Sequence, residues 1–183
     1  MEEKITTIYL VRHASIELKD GEAVEQNPPL NKKGLKQAYE LAKQFQKSNL
    51  DINILITSSM KRATETAGII GKLIRKKPLI FSEFNEFSRS IFERRFWKKK
   101  FWINYLRYRR SYKKFDELLK KNMGKTIIFV IHGNVIRGLM GRKLGLSFGQ
   151  IKHFSYNNAH ISRLTFKDKK LNTISYFNSE TLF

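Results

Sequence analysis

The chain contains no cysteine in 183 residues, which excludes disulfides, thiolate metal sites and a cysteine nucleophile at once. No apolar stretch approaches the length of a bilayer span, and the first residues have neither the basic region nor the apolar core of a signal peptide. A soluble, cytoplasmic protein is therefore expected. Acids are scarce: 16 Asp plus Glu stand against 36 Lys plus Arg, a formal charge of +20. Such a surplus attracts phosphates, nucleic acid or anionic lipid headgroups without choosing among them. Internal repeats and low-complexity tracts are also missing.

What is present suits one globular domain over residues 1–183, with 41% hydrophobic residues to build a core. Residues 5–11 and 126–131 read as β-branched, apolar runs, the signature of strands buried on both faces of a sheet. Each is followed by a helical pattern. After a polar loop, Glu17 to Asn31, Asn31 stands where an N-cap belongs. Leu35, Ala38, Tyr39, Ala42 and Phe45 then form a core-facing stripe. Residues 52–57 read as a second strand, and Ser58 and Ser59 as caps of a helix from about Met60 to Lys76. Ala63, Ala67, Ile70 and Leu73 or Ile74 face inward on that helix. Pro78 to Phe81 reads as a short third strand. A helix follows from about Asn134 to Leu144, ending near Gly145, and 151–156, 160–166 and 173–177 read as late strands with a Lys-rich turn at 167–170. Strands alternating with helices predict a three-layer α/β/α sandwich around a mostly parallel sheet.

In an open α/β sheet, ligands bind beyond the carboxyl ends of the strands, where residues from distant strands converge. Arg12 and His13 end the first strand, His132 and Gly133 end another, and Arg62 lies in a first helical turn. Two arginines and two histidines suit a phosphoryl group, because guanidinium offers planar bidentate donors and stays charged. A neutral imidazole can serve as nucleophile. His132 precedes a helix start, where backbone N–H groups favour anions, whereas Arg62 occupies the helix end least favourable to a cation. A position poor for stability argues for function. His153 and His160 lie in the late strands and are read as hydrogen-bonded structural residues.

These motifs, in this order along almost the whole chain, resemble the histidine phosphatase superfamily, also called phosphoglycerate mutase-like. That family's Arg-His-Gly appears as Arg12-His13-Ala14. Its Pro-Leu-Thr-x-x-Gly-x-x-Gln-Ala appears as Pro29-Leu30-Asn31-Lys32-Lys33-Gly34-Leu35-Lys36-Gln37-Ala38. Ser58 to Ala67 resembles the second arginine motif, and Asn158 to Leu164 the late strand. The resemblance implies that His13 attacks phosphorus in line and that Arg12, Arg62 and His132 hold the non-bridging oxygens. It also implies an acid that protonates the leaving oxygen and later activates water, which points to Glu86 rather than Glu83. No cofactor or metal is required by this chemistry. The departures are Ala14 for the usual glycine, Ser15 for the common glutamate, and the family's Glu-x-x-x-Gly-x-x-Glu-Gly, which stands here as Glu86, Ser90, Glu93 and Arg94 with both glycines lost. The asparagine and the longer insertion of phosphoglycerate mutases lack counterparts, so a phosphatase fits better than a mutase.

Between Arg89 and Lys114 there are eleven Lys or Arg against Glu93 alone, half of the net charge in 26 residues. Phe92, Phe96, Phe101, Tyr105, Tyr108, Tyr112 and Phe115 recur at helical spacing with Trp97 and Trp102 beside them, predicting one amphipathic helix or two with a bend over about 88–121. Such a segment is either a lid that draws a phosphorylated, polyanionic small molecule toward His13 or a helix whose aromatics pack on the sheet while its lysines face water. A nucleic-acid or membrane-surface binding module without turnover is the rival from a different class.

Overall fold

The computed structural model describes residues 4–17, 27–93 and 99–182. Its elements are β1 (Ile5–Arg12), α1 (Lys32–Lys47), β2 (Ile54–Thr57), α2 (Lys61–Ile74), β3 (Leu79–Ile80), α3 (Lys99–Lys121), β4 (Thr126–Ile131), α4 (Gly133–Lys143), α5 (Phe148–Ile151), β5 (Ile161–Lys167) and β6 (Lys170–Ser179), with short 3-10 turns at Ser82–Phe84 and Arg89–Glu93. The strands form one sheet ordered β3-β2-β4-β1-β5-β6. The pairs β1–β4, β2–β4 and β2–β3 are parallel, and β5 and β6 complete one edge antiparallel. Asp168 and Lys169 take positive φ in the tight turn between those two strands, the twist a two-residue hairpin needs.

Alternation along the central strands builds two cores. Ile8 and Leu10 of β1 join Ile127, Phe129 and Ile131 of β4 beneath α3 and α4. Tyr9 and Val11 join Ile128 and Val130 on the opposite face, beneath α1 and α2. Each such side chain, removed from water, contributes about 1.5–3 kcal/mol. Burial on both faces is why these strands are apolar throughout rather than alternating. The chain thus leaves β1 toward one face of the sheet and leaves β4, its neighbour, toward the other. That divergence opens the crevice beyond their carboxyl ends.

Several local expectations are corrected. The buried stripe of α1 is Gly34, Ala38, Leu41, Ala42 and Phe45, while Leu35 and Tyr39 are each 48% exposed. Small residues on α1 allow close packing against α2, which rotates the inward face away from the two bulkier side chains. Ser58 and Ser59 do not cap α2, whose N-cap position is Met60 without a side-chain bond. Residues 151–156 form no strand: Ile151 ends α5, and Phe154 and Tyr156 instead pack edge-on against Phe177.

The aromatic segment is a 3-10 turn followed by one 23-residue helix. Phe92, Phe101, Tyr108 and Phe115 are buried in the core, so the packing reading holds for them, whereas Trp102 is exposed. Phe96, Trp97, Arg94, Arg95, Lys98 and most of the loop from Glu17 to Asn31 lie outside the described residues. Among the described residues no helix is long and apolar enough to cross a membrane.

Candidate active site

The pairing of β1 with β4 places Arg12 opposite Ile131, and the His13 N–H donates to the Ile131 carbonyl at 2.9 Å. His13 and His132 therefore leave the sheet side by side, with ring centroids 5.1 Å apart. Arg62 arrives from the first turn of α2, fully buried, and its Nε–H donates to His13 Nε2 at 3.2 Å. A guanidinium N–H can only donate and a carbonyl can only accept. Since His13 Nδ1 lies 2.8 Å from the Ala14 carbonyl, Nδ1 carries the proton and Nε2 the lone pair. Arg12 Nη1 donates to the carbonyl of Tyr156, while its Nε is buried with no partner.

Residues of the Pro29–Ala38 and Ser58–Ala67 motifs have physical tasks around His13. Asn31 caps α1 by accepting from the Gly34 N–H at 2.7 Å. Gly34 lets the Ser15 carbonyl approach so closely that a Cβ there would lie 2.0 Å from its oxygen. Gln37 accepts from the Ser15 N–H at 3.0 Å. From α2, Thr66 Oγ1 accepts from the Ala14 N–H at 3.1 Å and donates to the Arg62 carbonyl at 2.7 Å, and Glu65 accepts from the Leu30 N–H at 2.7 Å. Both helices thereby grip the segment that follows His13. Ala14 is absent from the positive-φ residues, so the backbone at this point does not demand glycine.

Sequence reasoning missed other contributors. Ser58 Oγ lies 2.7 Å from His132 Nε2, both buried, leaving His132 Nδ1 buried without a partner. The strand-end rule that found His13 applies equally to Ser58, the residue after β2, but its identity as a helix-capping type drew it to α2. Asn158 Nδ2 donates to the His13 carbonyl at 3.0 Å. Ala159, held at φ 57°, donates its N–H to the Arg12 carbonyl at 3.1 Å. These two lie in the turn before β5 rather than within a strand. The His160 ring takes no part in the site, its Nδ1 lying 3.0 Å from the Asn158 carbonyl, while its own carbonyl accepts from the Arg12 N–H at 3.1 Å.

Glu86 reaches the same site from the loop after the first 3-10 turn. Ser59 pins that loop by donating its N–H and hydroxyl to Asn85 at 3.0 and 2.9 Å, and Asn134 Nδ2 donates to the Phe87 carbonyl at 2.9 Å. Burial pushes the Glu86 carboxyl up to about 7, against the pull of Arg62 and Arg12 toward ionisation. Its Oε1 is buried with no partner. Burial likewise drives His13 down to about 3, helped by Arg62 and Arg12 and opposed by the Ala14 carbonyl, and holds His132 well below the ordinary imidazole value. Both rings are neutral near pH 7 while the guanidiniums keep their charge. A cavity of about 1100 Å³ opens onto Arg12, His13, Arg62 and Glu86, with α3 and α4 forming its far wall. Among the described residues no group of three or more His, Asp or Glu could hold a metal ion. The five predicted residues thus meet at one end of the sheet.

The model of the histidine phosphatase superfamily (branch 1) matches residues 8–102 and 106–179. Solved structures share the fold. The α-ribazole phosphatase of Shigella flexneri superposes with a TM-score of 0.75 at 20% identity, covering 97% of this chain and 98% of that one. The mycobacterial glucosyl-3-phosphoglycerate phosphatase gives 0.76 at 15% identity, over 96% and 100%. A phosphoserine phosphatase from Entamoeba histolytica, in complex with 3-phosphoglyceric acid, gives 0.72 at 21% identity, over 95% and 97%. No curated protein sequence matches the chain significantly.

Proposed function

Because the chain belongs to the histidine phosphatase superfamily, we propose that it hydrolyses phosphomonoesters through a phosphohistidine on His13. The observation that carries this reading is the state of His13: its proton is committed to the Ala14 carbonyl, so Nε2 carries the lone pair, held toward the cavity by the Arg62 Nε–H and released when that guanidinium turns to a phosphoryl oxygen. Burial keeps the ring neutral, as a nucleophile must be.

In the first step Nε2 attacks phosphorus, the P–O bond to the leaving alcohol breaks, and Glu86 donates its proton to that oxygen. Arg12, Arg62 and His132 take the non-bridging oxygens; the buried, unpartnered Arg12 Nε and His132 Nδ1 supply donor capacity for them. Fixed guanidiniums in a site partly shielded from water stabilise transition-state charge without reorganising. In the second step Glu86, now ionised, accepts a proton from water as the oxygen attacks phosphorus, the P–N bond breaks, and inorganic phosphate leaves. A carboxyl near 7 serves both directions. Ser58, bonded to His132 Nε2, positions that ring, and α3 covers the cavity. Four reactive side chains lining one cavity, Arg12, His13, Arg62 and Glu86, with His132 packed beside His13, support turnover over a binding module without it.

The test is chemical trapping. Incubation with an aryl phosphate, followed by quenching in alkaline denaturant, is expected to leave one phosphoryl group on His13 by mass spectrometry. His13→Ala is expected to lose both the adduct and at least about 10³-fold in turnover. Full activity in His13→Ala would overturn the mechanism.

A further inference from the structure

Lysines outnumber arginines 24 to 12 along the chain, yet every described cation lining the cavity is an arginine: Arg12, Arg62, Arg89, Arg107, Arg110 and Arg137. Half of all the arginines thus gather at one place, while no described lysine lines it. Arginine differs from lysine in its planar fork of donors, which matches carboxylate and phosphate in a bidentate way. Attraction to water or a general positive field needs no such selection.

Arg12 and Arg62 flank His13 and are accounted for by the transferred phosphoryl group. The others are not. Arg107 and Arg110 are three residues apart on α3, one turn beyond Asn104, so all three share the helix face that lines the cavity. Arg137 stands on α4 one turn past Asn134 and donates to its Oδ1 at 2.8 Å, but its Nε is buried with no partner. No described carboxylate lies within ion-pair distance of any of these three. Arg137 is desolvated by burial, and Arg89 and Arg12 add like charge near it, opposed by Glu86. The acids in the lining are Glu83 and Glu86, and Glu86 belongs to the chemistry proposed above. Unpaired guanidiniums crowded into a concavity repel one another unless an anion enters.

We propose that the substrate is a phosphomonoester bearing a second anionic group, carboxylate or phosphate, which Arg107 and Arg110 of α3 and Arg137 of α4 hold. Arg137 lies five residues beyond His132, roughly 7 Å along the axis of α4 at the helical rise, so a short chain of a few carbons spans the two anionic groups. This rests on the phosphatase reading for the identity of the first group, and its test separates the two.

Three ligands sharing a three-carbon chain are compared: propyl phosphate, the same chain ending in a carboxylate, and the same chain ending in a second phosphate. Calorimetric titration of His13→Ala protein is expected to show binding at least about tenfold tighter for the latter two than for propyl phosphate. The tighter of the pair identifies the second group. Arg107→Gln/Arg110→Gln, at exposed positions where folding is retained, is expected to abolish the preference, as is Arg137→Gln. Binding of all three within twofold, no binding of any, or a preference that survives these substitutions overturns the proposal. If the preference is present but the unmodified chain hydrolyses none of the three, the phosphatase reading fails while the second-anion site stands.

Discussion

The carboxyl of Glu86 is pulled in two directions, toward ionisation by Arg62 and Arg12 and away from it by burial, and burial wins, leaving it near 7. As proton donor it is competent below that value, so kcat/KM for an alkyl phosphate is expected to fall as pH rises through about 7. An aryl phosphate, whose leaving oxygen needs no proton, is expected to show a weaker alkaline limb. The same shift has a stability consequence of defined sign. A folded-state value raised above the unfolded one means that the group's contribution is fully present below the ordinary carboxyl range and is lost as pH rises through about 7. Replacing Glu86 by neutral Gln removes that loss. Glu86→Gln is expected to raise stability by about 1–2 kcal/mol at pH 8, after allowance for its partial exposure, with no gain at pH 4, while turnover of alkyl phosphates collapses. Denaturant titration at the two pH values measures the first part and steady-state kinetics the second. Equal stability at pH 8, or retained turnover, would remove Glu86 from the acid position. His13 runs the other way, because its lowered value costs stability as pH falls toward about 3.

At the scale of elements, the site depends on how tightly the first turn of α1 holds the residues after β1. Asn31, Gly34 and Gln37 all engage Ser15 or the turn beside it. A Cβ at Gly34 would meet not a flexible side chain but the Ser15 backbone, 2.0 Å from the oxygen and 2.9 Å from the carbon, so α1 and the His13 segment must separate. Gly34→Ala is expected to cost about 3 kcal/mol, at the upper end for overpacking, and to lower kcat more than Tm alone explains, read by thermal melts alongside kinetics. A Tm within about 2 °C of the unmodified chain would show that the clamp yields freely. Elements of this kind divide what was legible from what was not. The central strands were legible because burial on both faces writes itself as unbroken apolar runs, and Asn31 because its capping chemistry is local. The inward face of α1 was misjudged because Leu35 and Leu41 both fit a three-and-four spacing, and only packing against α2 selects Leu41. Ser58 was misplaced because its partner, His132, is 74 residues away. Residues 151–156 carry apolar and aromatic side chains that suit a strand, but Phe154 and Tyr156 turn theirs onto Phe177, a tertiary contact that no local pattern records.

Across the whole molecule, the charge of +20 acts on top of the cavity contacts. Lys99, Lys100, Arg109 and Lys113 of α3 are exposed and outside the cavity lining, so they touch no bound substrate yet raise the potential around its entrance. A field of this kind accelerates encounter with an anion and is screened over a Debye length of about 10 Å at 0.1 M salt. Contacts inside the concavity are screened far less, and the chemical step less still. The expected signature is therefore a split: raising salt from about 0.02 to 0.3 M lowers kcat/KM for a substrate with two anionic groups by about tenfold and leaves kcat within about twofold. Neutralising the outer face with Lys99→Gln, Lys100→Gln and Lys113→Gln together is expected to flatten that salt dependence by about half without changing kcat, since none of the three contributes to the cavity. Stopped-flow or steady-state rates across a salt series read both quantities. If the triple substitution leaves the slope untouched, the dependence arises at the cavity arginines themselves, and the surplus charge of α3 serves something other than bringing substrate to His13.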